Sequence, residues 1–235
     1  MYAYLLKSRT RIFLFLLCTS TIIFLWKGYR YFIIENKVTE LREFANLSET
    51  LIKSRTKVSI YYEALCSDSR NFILKQLVPT YELLQEYIDL DFIPYGKAQT
   101  IEKKGVITFK CQHANLECVA NKVHACSLLH IKNQHLQLQY ISCMIKDNMI
   151  PFEIGEKCAK NLGIVYDPIL DCAKSDQSSL LLKEYGIRTQ EVQPKITFIP
   201  TIQLNNKQTV PLVRILKNFK KELCKILGFN VKQCL

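Results

Sequence analysis

Residues 61–72 read YYEALCSDSRNF, a strand-like apolar run that ends at Cys66 and passes directly into polar, helix-starting residues. A cysteine at that junction sits where unpaired backbone N–H groups and about half a positive charge collect, which stabilises a thiolate and makes it a nucleophile toward disulfides. A second cysteine three residues on would make a dithiol redox site, but position 69 is serine. The chemistry is therefore that of one sulfur. Ser67 or Ser69 can cap the helix, and Asp68 complements its dipole while opposing the thiolate by like charge. The Ser69 hydroxyl would stand where a partner thiol stands in C-x-x-C and can donate a hydrogen bond to the thiolate.

The other cysteines bear on this reading. Of the ten in the chain, Cys18 lies in an apolar N-terminal run, which leaves Cys66, Cys111, Cys118, Cys126, Cys143, Cys158, Cys172, Cys224 and Cys234. Nine cannot all pair. If the eight other than Cys66 form structural bridges, in a connectivity that sequence leaves open, the odd one is the cysteine at the helix N-terminus. A rival use of Cys111, His113, Cys118, His124 and Cys126 is a zinc site, since thiolates and imidazoles are its ligands. Their C-x-H and C-x6-C spacings fit no common finger, and an exported chain oxidises such thiols. No metal is expected. Under the bridged reading His113 and His124 are structural or surface residues, and His130 and His135 ordinary ones.

The elements that must position Cys66 follow from periodicity. KVSIYYEAL, from Lys57, alternates as a strand does, FILKQLVPTYELLQEYI repeats apolar residues at helical spacing, and LDFIPY is a second strand. Pro79 should kink that helix without ending it. Residues from about 112 to 190 read as short helices, KITFIPTIQLNN and KQTVPLV as a hairpin, and LVRILKNFKKELCKIL as one closing amphipathic helix. The order β-α-β, helical insertion, hairpin, α predicts an α/β, thioredoxin-like fold over 57–235. Pro200 in FIPT is then the candidate cis-proline facing the nucleophile, with the Ile199 backbone pairing to a substrate strand.

Lys7, Arg9 and Arg11 precede the uncharged run IFLFLLCTSTIIFLW, Ile12 to Trp26. Positive-then-apolar order predicts export, with residues 1–30 a signal peptide or signal-anchor and 31–56 a polar stalk. Bulky Trp26, Tyr29, Tyr31 and Phe32 stand where an A-x-A-like cleavage site would lie, which favours an uncleaved anchor and a single-pass type II arrangement in the membrane. Asn46 heads a glycosylation sequon in the stalk. The net charge of +11 is spread along the chain with no basic cluster interleaved with aromatics, so no nucleic-acid partner is expected.

Residues 111–126, CQHANLECVANKVHAC, resemble the signature C-Q-H-G-x-x-E-C-x-x-N-x-x-x-x-C of the gamma-interferon-inducible lysosomal thiol reductases. The match runs through Cys111, Gln112, His113, Glu117, Cys118, Asn121 and Cys126 and departs at Ala114, where the family has glycine. YYEALC and FIPYGKAQ also look like family text, and the resemblance covers about 57–235. It implies a thioredoxin-like domain that reduces protein disulfides in an endolysosomal or extracellular lumen, without metal or organic cofactor. Cys66-Ser67-Asp68-Ser69 departs from the C-x-x-C of vertebrate members and is similar to C-x-x-S insect relatives. A mixed disulfide at Cys66 must then be resolved by a small external thiol or by a thiol of the substrate. Three function classes follow from these readings: a single-cysteine disulfide reductase or isomerase, a peptide-binding module without turnover, and a zinc-stabilised interaction domain.

Overall fold

The computed structural model describes residues 25–43, 55–228 and 231–235. The chain divides into two compact units, Met1–Ser54 and Arg55–Leu235. In the first, helix α1 covers residues 25–43 and every residue on it is exposed, so part of the segment read as a stalk is helical. Among the described residues no helix is long and apolar enough to cross a membrane. Cys18, the apolar run before Leu25 and the sequon at Asn46 lie outside the described residues.

The second unit begins with strand β1 (Thr56–Tyr62), which runs into helix α2 (Ser67–Phe72). The helix continues through a π turn, Ile73–Leu77, into α3 (Val78–Leu84). Pro79 is the reason for the turn: it has no N–H to give the preceding turn, and the Val78 amide reaches back five residues to the Ile73 carbonyl. The apolar stripe passes through the widened turn intact. Strand β2 (Ile88–Pro94) follows and pairs in parallel with β1, Thr56 opposite Ile88 and Tyr62 opposite Pro94.

Strands β3 (Gln99–Lys103) and β4 (Val106–Lys110) form a separate two-stranded ribbon, which the periodicity did not reveal. Its two-residue turn has positive φ at both Lys104 and Gly105, the primed-turn geometry that Asn-Gly usually signals. Lysine in the first position hides the signal.

Five helices make up the insertion: α4 (Ala114–His130), α5 (Gln134–Met144), α6 (Pro151–Leu162), α7 (Asp167–Lys174) and α8 (Asp176–Gln190). They carry a core of their own in which Val123, Tyr140, Met144, Ala159 and Ile169 pack around the bridges Cys126–Cys172 and Cys143–Cys158.

Strand β5 (Thr201–Leu204) completes a three-stranded sheet of order β2-β1-β5, antiparallel to β1. The expected hairpin is reduced to this strand and one bridge, Leu204 to Lys207. Residues 194–200 are not strand, and Pro194 and Pro200, which lack amide donors, bound this stretch. The closing helix is also two helices, α9 (Leu212–Lys217) and α10 (Phe219–Leu227), broken at Asn218, whose side chain caps α10 by accepting the Lys221 amide at 3.1 Å. Val58, Ile60 and Tyr62 on one face of β1 pack with Phe72, Ile73, Leu77, Phe219 and Leu223 in the main core. The alternation that marks the strand thus buries one face under α2, α3 and α10 and fixes where the strand ends, just before Cys66.

Candidate active site

Four bridges join Cys111 to Cys118, Cys126 to Cys172, Cys143 to Cys158 and Cys224 to Cys234. Cys66 is the one described cysteine outside a bridge. The thiolate zinc site considered for Cys111, Cys118 and Cys126 is excluded, because a disulfide sulfur has no thiolate to offer a metal.

Cys66 is itself the N-cap of α2: its Sγ accepts the Ser69 amide at 3.5 Å, and its backbone carbonyl accepts the Arg70 amide at 3.0 Å. The sulfur therefore replaces the serine oxygen read as the cap. Ser69 is wholly buried, and its hydroxyl turns away from the sulfur to accept the Glu63 amide at 3.4 Å. So the backbone N–H of Ser69, rather than its hydroxyl, supports the sulfur. On the other side the Cys66 thiol donates to the Ile199 carbonyl at 3.7 Å, and the Ile199–Pro200 peptide is cis. Cys66 keeps 8% of its surface, so the sulfur is reached from solvent only through a narrow opening.

The signature residues meet the segment just before Cys66. His113 at the N-cap and Glu117, Asn121 and His124 within α4 recur at helical spacing on one face; His113, Asn121 and His124 reach residues 62–64 directly, and Glu117 holds His113. Asn121 Oδ1 accepts the Ala64 amide at 2.9 Å. Asn148 Nδ2 donates to the Ala64 carbonyl at 2.9 Å and lies 3.2 Å from His124 Nε2. With that amide as donor, Nε2 accepts, and the ring proton sits on Nδ1 facing the Tyr62 hydroxyl at 2.9 Å. Burial pushes His124 down to about 3, against the opposing hydrogen bond from Asn148. It is a neutral strut in neutral and mildly acid solution.

At the other end of the stripe, Glu63 and Glu117 are fully buried beside a half-exposed His113. Glu63 Oε1 accepts the Lys97 amide at 2.7 Å, and Glu117 takes the His113 amide at 3.1 Å and its Nδ1 at 2.5 Å. Burial raises the Glu63 carboxyl above the usual range, and the Glu117 charge adds to this against the Lys97 amide and His113. Gly96 has a positive φ, and a Cβ there would run into the Glu63 side chain, so only glycine lets this loop close over the carboxylate.

The bridge Cys111–Cys118 closes the first turn of α4 and fixes where the stripe begins. Gln112 is exposed and lies outside this network. Glu63, Ala64 and Asn148 are the site residues that sequence reasoning missed. The i, i+4, i+8, i+11 spacing of the signature was the available signal that one helix face serves one purpose.

Ala114 stands at φ 63°, so the alanine occupies a left-handed position that costs an L-residue about 1 kcal/mol or more. Ala114→Gly should raise unfolding stability by about 1 kcal/mol, less the extra freedom glycine has in the unfolded chain. Urea unfolding of the two proteins checks this, and a loss of stability would contradict it.

The fold and the signature both have counterparts. Similar solved structures include DsbA of Chlamydia trachomatis, with a TM-score of 0.53 at 13% identity, covering 74% of this chain and 89% of that one. MdbA, a thiol-disulfide oxidoreductase from Actinomyces oris, aligns with a TM-score of 0.51 at 14% identity over 75% and 81%. At such identities the likeness shows the thioredoxin-like fold alone; the helical insertion with its bridges is seen in this chain itself. A gamma-interferon-inducible lysosomal thiol reductase-like protein of Anopheles gambiae is 32% identical over 78% of this chain and 81% of its own. GILT-like protein 1 of Drosophila melanogaster is 35% identical over 66% and 67%. The family model described as gamma interferon inducible lysosomal thiol reductase (GILT) matches residues 57–162, a span that holds Cys66, the stripe on α4 and the residues they grip. With the signature, the fold and relatives spanning most of its length in agreement, the chain belongs to the GILT family.

Proposed function

We propose that this protein is a thiol-disulfide oxidoreductase of protein disulfides that works through Cys66 alone. The observation that carries the reading is an unbridged sulfur at the N-cap of α2, held by the Ser69 amide and flanked by the Ile199 carbonyl. The Cys66 thiolate attacks one sulfur of a substrate disulfide. The substrate S–S bond breaks, a Cys66–substrate bond forms, and the departing thiolate takes a proton from solvent. With serine at 69, a thiol from outside must attack Cys66 Sγ and release the substrate dithiol. A second thiol then frees Cys66 and leaves as the oxidised pair. If a thiol of the substrate attacks instead, the net result is isomerisation. The Ile199 backbone aligns the substrate segment beside Pro200.

Residues 1–30 act as signal or signal-anchor, 31–56 as spacer and 57–235 as the oxidoreductase domain. This places the domain in the secretory lumen, endolysosomal or extracellular, with Asn46 as its glycosylation site.

A second reading, a peptide-binding module without turnover, is favoured by one feature, the buried serine at the resolving position. Trapping separates the two. Mixed with an unfolded disulfide-bonded protein in the absence of external thiol and quenched in acid, the protein should yield an equimolar adduct whose peptide map places the linkage at Cys66. Absence of any adduct from acidic to neutral pH would favour the binding module.

A further inference from the structure

Behind the nucleophile lies a cluster of two buried carboxylates in which one oxygen has no hydrogen-bond partner. Glu63 and Glu117 are both fully buried; among the described residues the ring of His113 lies against both carboxylates, and the Lys97 ammonium acts on Glu63 more weakly. Three of the four carboxylate oxygens have donors: the Lys97 amide on Glu63 Oε1, and the His113 amide and ring on Glu117. The fourth, Glu63 Oε2, is buried without a hydrogen-bond partner. It points at His113 Nδ1 from 3.4 Å, but that nitrogen is already engaged by Glu117 at 2.5 Å. A buried carboxylate oxygen without a partner is costly and calls for a cation.

The three ligand atoms lie within 4.8 Å of one another. Tetrahedral zinc with bonds of about 2.0–2.2 Å to nitrogen and oxygen holds its ligands roughly 3.3–3.5 Å apart. The Glu63–His113 distance already fits. The shorter His113–Glu117 contact, 2.5 Å, would have to open by about 1 Å to admit a metal, and the Glu63–Glu117 pair, within 4.8 Å, to settle at the same spacing. The imidazole is 40% exposed, which provides both an entry path and an open position for water. Nearby Cys111 and Cys118 are bridged to each other, so the donor set is two oxygens and one nitrogen, with no sulfur. One imidazole with two carboxylates suits a first-row divalent ion, with zinc the commonest.

We propose that Glu63, His113 and Glu117 bind one Zn²⁺, with water in the fourth position. The site bears on the nucleophile through the backbone: the Glu63 carbonyl accepts the Cys66 amide at 3.3 Å, and the Glu63 amide donates to Ser69 Oγ. A metal on the Glu63 side chain therefore stiffens the turn that carries Cys66.

The test uses the full, correctly bridged chain with Cys18 and Cys66 both changed to serine, so that neither can act as a ligand. Equilibrium dialysis against Zn²⁺ should leave one zinc per chain, and Co²⁺ should give visible d–d bands without thiolate charge transfer. Glu117→Gln and His113→Ala should each weaken binding at least about tenfold, while Glu102→Gln, in the exposed pair with Lys183, should leave it unchanged. If Glu117→Gln fails to fold, shifts of the His113 ring resonances on adding Zn²⁺ to the parent chain provide the same readout. Two results would overturn the proposal: no zinc retained by the bridged protein, or zinc retained at undiminished affinity when His113 is alanine.

Discussion

With Ser69 changed to cysteine, the mixed disulfide between Cys66 and an unfolded substrate should shorten in lifetime by about a thousandfold at millimolar external thiol. The comparison behind that figure is between a dissolved thiol at roughly 1 mM and a neighbouring thiol whose effective concentration is at least about 1 M. The Ser69 amide is 3.5 Å from Cys66 Sγ, so a sulfur on the same residue lies within reach once it turns from the Glu63 amide. In the unaltered protein the adduct should accumulate when thiol is scarce, and turnover should rise with thiol concentration. The variant should release substrate independently of thiol, although two equivalents are still consumed in regenerating its dithiol. Quenched-flow trapping followed by non-reducing gel separation measures the lifetime. Equal lifetimes in the two proteins would mean that the bond is not resolved from position 69 in this fold.

Acid should destabilise the domain through His124. Its protonated form is favoured in the unfolded chain below about 6.5 and in the folded protein only below about 3. Between those values the unfolded state holds the extra proton, so stability falls as pH falls, by about 1.4 kcal/mol per pH unit. From pH 6.5 to pH 5 the share of this one residue is about 2 kcal/mol. The loss lands on the active turn, because His124 is joined to Tyr62 directly and to the Ala64 carbonyl through Asn148. Glu63, raised by burial, works in the opposite direction: ionising it costs stability as pH rises above its ordinary value. Denaturant unfolding of the parent and of His124→Asn at pH 7.5, 6.5 and 5 isolates the term as a difference of differences. The parent should lose about 2 kcal/mol more than the variant over the acid step. Parallel pH profiles would show that His124 takes up no proton on unfolding.

The parts of this structure that were legible in the sequence are those set by local pattern. β1 alternates, α2 and α3 repeat at helical spacing, and the cysteine at their junction follows from the two periods meeting. The π turn was invisible, since Pro79 predicts a disturbance but not its hydrogen bonding. β3 and β4 were missed because Lys104-Gly105 is an unusual primed turn and β3 is largely exposed, so no apolar alternation marks the ribbon. The helix read over 212–227 broke at Asn218 because its apolar repeat is compatible with either one helix or two, and the cap decided.

At the site, the odd cysteine could be counted, and Pro200 could be picked out by its place in the topology. The target of the signature could not. His113 and Asn121 bond to residues some fifty positions earlier, and Asn148 belongs to no motif. Such contacts exist only once α4 has packed beside the end of β1. The sulfur acting as its own helix cap, in place of a serine, is likewise a matter of geometry that residue types leave open.

The central claim is that one sulfur, Cys66, carries thiol-disulfide exchange. Its most direct test is the rate at which an unfolded disulfide-bonded protein is reduced or rearranged in the presence of a fixed small-thiol concentration, with the unaltered protein against Cys66→Ser. A thiol-dependent rate above the uncatalysed background that falls to background in Cys66→Ser is the predicted result. A Cys66→Ser protein that keeps the full rate, or an unaltered protein that never exceeds background, would contradict it.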